Sequence, residues 1–546
     1  MSPPGRAAAR RVGPPFGVAA AVSVLGFLYG WPLLSIAVRT LEGVAGGSGW
    51  TAAGAWRVLS AERTGHLVIV TVAETVASTA AVLLVGVPLG WAIGRFRFPG
   101  RRLFGALLVT PFVLPSVTVA GAVLAISGPP GGDPERFVLI IAAHAVFNIG
   151  FMARATAAAL AGVPRSVEEA ARMAGRRGAV AALDTTGRAI APSIAAAAGV
   201  VAALSALSFG VIAVIGSEGI RTVEMEIWAR AVQQLDLAGA ATLALAQGAL
   251  LAVLFAALGR WGAAHGAPAL AAGSGDPRPA RTGVERAAVT VAVCVGAFVV
   301  AVPLLATVFG ALRGPGGWTL QRFGSLAGGT TPSGVVGARP VLARGEALTA
   351  FGDSLAGAGV ATLLAFAAAA LVLAARRGAG WLERLAVAPM AVSGATLGLG
   401  FLLAFGSSAL DLRGSWIAVP LVQGAVAAPV VTHLLSAAWR NRAALLYEHA
   451  ATLGAGPWRR FASVLVPSLR PVLFAAGSIA FAIALGEFGA TSFVARSDRP
   501  TVPLLIARLF GRVGSANYGA AMALSAVLVS VTAAVVWVGD RRGSIR

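Results

Sequence analysis

Three carboxylates stand where a hydrocarbon environment would penalise them. Glu74, Asp353 and Glu487 each lie inside a run of apolar residues. A carboxylate at mid-membrane costs about 2.5–3.5 kcal/mol on insertion scales, so such residues are usually kept for a pathway, a proton or an ion. His144 and Asn148 sit one helical turn apart in another apolar run. These five residues are the candidates for a translocation pathway, and acids along it favour a cationic solute. Each also has a local explanation: a hydrogen bond to a neighbouring helix, a protonated carboxyl, or polar packing between helices.

Two further acids lie outside the apolar runs, in near-copies of one motif. "EAARMAG" begins at Glu169 and continues through Ala170 and Ala171 to Gly175; "EHAATLG" begins at Glu448 and continues through Ala450 and Ala451 to Gly454. The composition is helical, and Ser166 can cap the first copy with Glu169 closing a capping box. The glycines are placed to end or turn the helix. Either copy alone reads as an amphipathic helix closing a loop. Two copies in register read as a pair of docking helices for grooves on a soluble partner.

Several chemistries are excluded. The 43 basic residues are all arginine, so the lysine that a P-loop places on the β- and γ-phosphates is absent from this chain. Any ATP hydrolysis, with its magnesium, therefore belongs to a separate polypeptide. The single cysteine, Cys294, allows no internal disulfide, and the five histidines form no cluster suited to a metal. No nucleophile–base arrangement stands out. We expect no catalytic residue, no metal, no bound cofactor and no enzyme. The net charge of +21 lies in short arginine runs between apolar stretches, so it signals basic loops at a lipid bilayer, with no nucleic-acid partner.

The elements that must position these residues are membrane spans. Hydrophobic residues make up 57% of the chain and charged residues 12%, and mean hydropathy is +0.81. Apolar stretches long enough to cross a bilayer recur along the chain, and in lipid only helices or closed barrels satisfy the backbone. The pattern predicts about twelve spans: 17–38, 67–94, 103–127, 137–160, 190–215, 237–259, 286–312, 350–375, 382–407, 415–438, 471–495 and 517–538. Short arginine-rich connections such as "GRFRFPGRR" and "GDRRGSIR" alternate with poorer ones such as "SGPPGGDPER". The positive-inside rule then puts both termini and both glutamate motifs in the cytoplasm. Residues 266–283 read as a flexible cytoplasmic linker between a six-helix half at 1–265 and another at 284–546.

The halves repeat at an ungapped offset of 279 residues, which carries Glu169 onto Glu448, Gly175 onto Gly454, Pro192 onto Pro471, Phe209-Gly210 onto Phe488-Gly489 and Thr222-Val223 onto Thr501-Val502. Glu74 falls on Asp353, whereas Glu487 falls on Ser208. Six spans per half make the repeat parallel.

The spacing Glu-x-Ala-x-x-x-Gly resembles the EAA loop of the membrane subunits of binding-protein-dependent ABC importers, and the second copy, "YEHAATLGAGPWRRFASVLVPSLRP", resembles it well. The first departs from it: Arg188 stands where Pro467 stands in the second. The fused two-half arrangement resembles the ferric-iron and thiamine importer permeases, and "HAVFNIGFMARATAAALAGVP" and "LGEFGATSFVA" are similar to the thiamine permease. The resemblance implies an all-α membrane protein with the type I (MetI-like) fold, in the plasma (inner) membrane. It implies a permease subunit that moves ferric iron or thiamine. An external binding protein delivers the solute, and two copies of an ATPase subunit drive transport through coupling residues Glu169, Ala170, Ala171, Gly175, Glu448, Ala450, Ala451 and Gly454. The rival is a secondary transporter of two parallel repeats with no ATPase partner.

Overall fold

The computed structural model describes residues 15–543 apart from 42–51, 109–110, 112–113, 164–168, 171–172, 176–182, 265–276, 315–316, 327–341, 344, 376–379, 407–410, 413, 441–443 and 513. Ala171, Ser166 and most of the linker fall outside the described residues.

Long apolar sequences with few breakers give long helices. In chain order the elements that matter are α1 (Gly17–Leu41), α2 (Glu62–Arg95), α3 (Ser116–Ser127), α4 (Asp133–Ala161), α5 (Arg188–Ala206), α6 (Val223–Trp228), α7 (Leu237–Ala264) and α8 (Gly283–Leu312). They continue with α9 (Glu346–Ala375), α10 (Gly394–Phe405), α11 (Ala418–Ala438), α12 (Ala444–Thr452), α13 (Val466–Gly486), α14 (Val502–Phe510) and α15 (Ser515–Gly543). Among the described residues ten helices are long and apolar enough to cross a membrane, or eleven if one bent pair counts as a span.

The difference from the twelve expected spans lies at the third element of each half. The stretch expected over 103–127 is divided into Arg101–Leu107 and the 12-residue α3. Its counterpart over 382–407 is the pair Trp381–Ala391 and Gly394–Phe405, bent by 105°. Proline explains both breaks. Pro111 and Pro115 precede α3, and Pro389 precedes α10; each lacks an amide proton and biases the residue before it away from helix. Ser393 then starts α10 by accepting the Thr396 amide at 2.8 Å. The fifth span of each half is also shorter than expected. α5 stops at Ala206 and resumes as Phe209–Ile215, and α13 stops at Gly486 before Thr491–Val494.

The helix order repeats with the sequence. A shift of 279 residues brings α2 onto α9, α3 onto α10, α4 onto α11, α5 onto α13, α6 onto α14 and α7 onto α15 with similar boundaries. It also carries the π-helical turn Leu183–Gly187 onto Phe461–Leu465, within a residue or so.

The chain divides into two compact units. One comprises Met1–Arg39, Phe351–Thr501 and Val531–Arg546; the other comprises Thr40–Ala350 and Val502–Ser530. Each therefore contains a leading helix from the other half of the sequence. In the first unit, Tyr29 of α1 donates from its hydroxyl to the Ala425 carbonyl of α11 at 2.8 Å, and its buried core joins Leu25, Leu28, Phe401, Val422 and Val431. In the second, α8 lies against α2 and α3.

The tightest packing in the second unit is between α2 and α4, where Gly86, Gly90 and Gly94 recur every four residues. A Cβ at Gly90 would stand 2.4 Å from the Ala153 carbonyl oxygen, and one at Gly86 would stand 2.8 Å from Met152. This is the small-residue helix contact favoured in membranes, where apolar burial alone does not draw helices together.

Candidate functional site

The two glutamate motifs form similar turns. α12 carries Glu448, His449, Ala450 and Ala451 and stops at Gly454, whose φ is +79°. The Ala455 amide donates to the Ala450 carbonyl at 3.0 Å and the Gly454 amide to the Ala451 carbonyl at 3.1 Å. That is a Schellman ending, which needs a left-handed residue and so favours glycine. In the first copy the Ala174 amide donates to the Ala170 carbonyl at 2.9 Å, and Gly175 has φ +83°. Glu169, Ala170, Glu448 and Ala451 are exposed and Ala450 is half-buried. Neither glutamate forms an ion pair among the described residues.

Beyond each glycine the chain re-enters a long helix through the π turn. Arg188 takes the first position of α5, and Pro467 the second position of α13. The arginine therefore leaves the helix start where the proline has it. The π turn forms in both copies, with the proline or without it.

The second loop presents apolar side chains to its surroundings. Leu445 is 60% exposed, Leu453 86% and Trp458 77%, with Trp458 stacked on Phe461 at 5.6 Å. Tyr447 braces the loop from behind, between Trp439 at 5.5 Å and the Arg460 guanidinium at 4.7 Å. Met173 of the first loop is 88% exposed. Large apolar groups left out of a core in this way mark a surface that another molecule covers.

The five pathway candidates are divided between the two units, Glu74, His144 and Asn148 in one and Asp353 and Glu487 in the other. Glu74, His144 and Asn148 lie together on facing sides of α2 and α4, all buried. Glu74 pairs with His144 Nδ1, Ser78 Oγ donates to Glu74 Oε1 at 2.9 Å, and Asn148 Nδ2 donates to the His144 carbonyl at 3.1 Å. Asp353, the repeat mate of Glu74, is 39% exposed and meets Arg499 at 3.4 Å. Glu487 sits at the break after α13 and caps the next short helix, accepting the Ala490 and Thr491 amides at 2.9 Å each. The repeat thus keeps the position of Glu74 and Asp353 but gives them different surroundings.

Sequence reasoning missed a second acidic group, on α6. Glu224 and Glu226 are buried. Gln247 donates to Glu224 Oε2 at 2.9 Å. Glu226 receives Arg63 at 3.2 Å, Arg221 at 3.1 Å and Arg230 at 3.1 Å. Burial pushes the Glu226 carboxyl up, but the three guanidinium groups outweigh it and hold it below the usual carboxylate range. In α14 the corresponding positions are Pro503 and Leu505. The available signal was that asymmetry: charged residues in one copy of an otherwise apolar helix.

With this geometry in place, similarity to known proteins is informative. Residues 361–541 match the family model of the binding-protein-dependent transport system inner membrane component. The matched stretch is about a third of the chain. It runs from α9 through α12 to α15. A putative 2-aminoethylphosphonate transport system permease protein, PhnV, of Salmonella typhimurium is 30% identical over 153 residues, 28% of this chain and 56% of that protein. The sulfate transport system permease protein CysT of Escherichia coli is 28% identical over 118 residues, 22% of this chain and 43% of its own length. The molybdenum transport system permease protein ModB of Haemophilus influenzae is 31% identical over 137 residues, 24% of this chain and 60% of its own. The chain spans about half the length of the curated relatives it matches. The ten apolar helices among the described residues, together with the match to an inner membrane component, indicate a multi-pass membrane protein.

Proposed function

We propose that the chain is the membrane-spanning permease subunit of an ABC importer, its halves 1–265 and 284–546 acting as two fused copies of one permease domain. The observation that carries this reading is the recurrence, 279 residues apart, of an exposed glutamate, a left-handed glycine six residues on, and a π turn leading into a long helix. Two copies of a separate ATPase subunit, which binds ATP and magnesium, dock on these loops from the cytoplasm, where both termini also lie. An external binding protein delivers the solute on the other side. Closure of the ATPase pair pulls on α5 and α13 through the π turns and opens the pathway. A secondary transporter would have no use for two exposed docking turns.

The solute that fits best is a small anion of the sulfate or phosphonate kind. The ferric-iron or thiamine alternative comes from the motif resemblance; the acids that would favour a cation, Glu74, Asp353 and Glu487, each have partners: His144, Arg499 and two backbone amides. Relatives named for 2-aminoethylphosphonate, sulfate and molybdenum add support for an anion.

The test is uptake by the full chain reconstituted with its ATPase and binding protein, using labelled sulfate, phosphonate, ferric iron and thiamine in parallel. Glu169→Arg with Glu448→Arg is expected to separate the ATPase from the membrane subunit and abolish ATP-driven uptake. Full retention of both would overturn the coupling assignment, and uptake of thiamine or iron alone would overturn the anion.

A further inference from the structure

The end of the linker between the halves is docked against the first half. Arg278–Pro279 forms a two-residue parallel ladder with Phe96–Arg97, immediately after α2. The Arg278 guanidinium lies over the Phe96 ring at 4.9 Å and also donates to Glu285 Oε2 at 3.0 Å. Glu285 closes a capping box with Thr282 at the start of α8. Phe96 is 1% exposed, edge-on to Trp91 at 4.8 Å and packed with Ala92 and Val289. The next residue back is Arg95, which donates from Nη2 to Thr186 Oγ1 at 3.3 Å. Thr186 is buried inside the π turn that joins the first docking loop to α5. A continuous line of contacts therefore runs from the linker to the exit of that loop.

Among the described residues the second half shows no equivalent line. The positions of Arg95, Phe96 and Thr186 are taken there by Ala374, Ala375 and Leu465. The second loop has its own brace, with Arg460 over Tyr447 and Arg440 paired with Glu383.

We propose that Arg278, Phe96 and Arg95 are positioning residues for the first docking loop, so that the seated linker holds the π turn at Thr186 in the register that passes motion to α5. This rests on the permease reading for its functional part and on the contacts alone for its structural part. One loop is set by the connection between the halves and the other by its own aromatic residues, so the two are unequal in what loosens them.

The experiment uses the full chain with its ATPase and binding protein in proteoliposomes, and compares Arg278→Gln, Thr186→Val and the control Arg281→Ala. A cation–π and ion-pair contact of this size corresponds to about threefold to tenfold in local opening. Hydrogen exchange at residues 183–188 is expected to rise by that factor in Arg278→Gln, remote from the substitution, and solute moved per ATP is expected to fall. Thr186→Val should lower solute moved per ATP in the same way, and the double variant should be no worse than either single one. Arg281→Ala should change neither readout. Unchanged exchange at 183–188 in Arg278→Gln overturns the proposal. So does raised exchange with unaltered solute per ATP. If the unaltered chain shows no ATP-driven uptake at all, the permease reading fails, while the exchange measurement still decides the contact line.

Discussion

Replacing Gly454 probes the second glycine turn directly. Its φ of +79° is a left-handed conformation, and nothing lies within 4 Å of where a Cβ would stand. The cost of a side chain there is therefore backbone strain with no clash. For an L-residue that strain is about 1–2 kcal/mol, more for a β-branched one, and less for asparagine, which tolerates the region. At about 1.4 kcal/mol per factor of ten, Gly454→Val should open the Schellman turn about tenfold more often. The expected result is faster hydrogen exchange at the Gly454 and Ala455 amides, whose acceptors are Ala451 and Ala450. ATP-driven uptake should fall in parallel, while Gly454→Asn stays close to the unaltered chain. Because the site is exposed, thermal unfolding of the spans should not move. A valine variant with unaltered exchange and uptake would refute the reasoning.

Gly90 should behave in the opposite way. Gly90→Ala places a methyl group 2.4 Å from a backbone carbonyl, and overpacking of this kind costs about 1–3 kcal/mol, read as a lower unfolding temperature in detergent. Gly65→Ala, in the same helix with open space around it, is expected to be neutral or to stabilise by up to about 1 kcal/mol. The Glu226 cluster predicts an acid limit. Its carboxyl is depressed in the folded state, so its contribution is complete above the unfolded value and is lost as pH falls through the folded one. Unfolding temperature between pH 7 and pH 3 should drop less steeply in Glu226→Gln than in the unaltered chain, from a lower starting point.

Sequence reasoning reached the helices, the repeat and the glycine turns because each has a signal that survives without tertiary context. Apolar length marks a span, a glycine six residues after a glutamate marks a helix end, and a constant offset marks duplication. It ran through the breaks at Pro115 and Ser393 because hydropathy averages over a bend. It gave no account of Glu224 and Glu226, since only the fold brings Arg63 from the start of α2 to meet Arg221 and Arg230. The linker was expected to be flexible throughout 266–283, yet Arg278 and Pro279 are paired; Phe96 is 182 residues away in sequence and gives no local sign of it. Nor does a repeat reveal that α1 packs with α11, because a helix carries no mark of which half will bury it.

The π turns at Leu183–Gly187 and Phe461–Leu465 bear on how the chain can change in length. A π turn holds one more residue than an α turn, so deleting any single residue there leaves a legal helix. The loop ahead of it, however, would be rotated by about 100° about the helix axis. The glycine turn would then present a different side while every contact within the span stayed intact. Chain length between the turn and the span is thus an angular setting. An offset of 279 residues kept without gaps from Glu169–Glu448 to Thr222–Thr501 is the record of two such settings held alike.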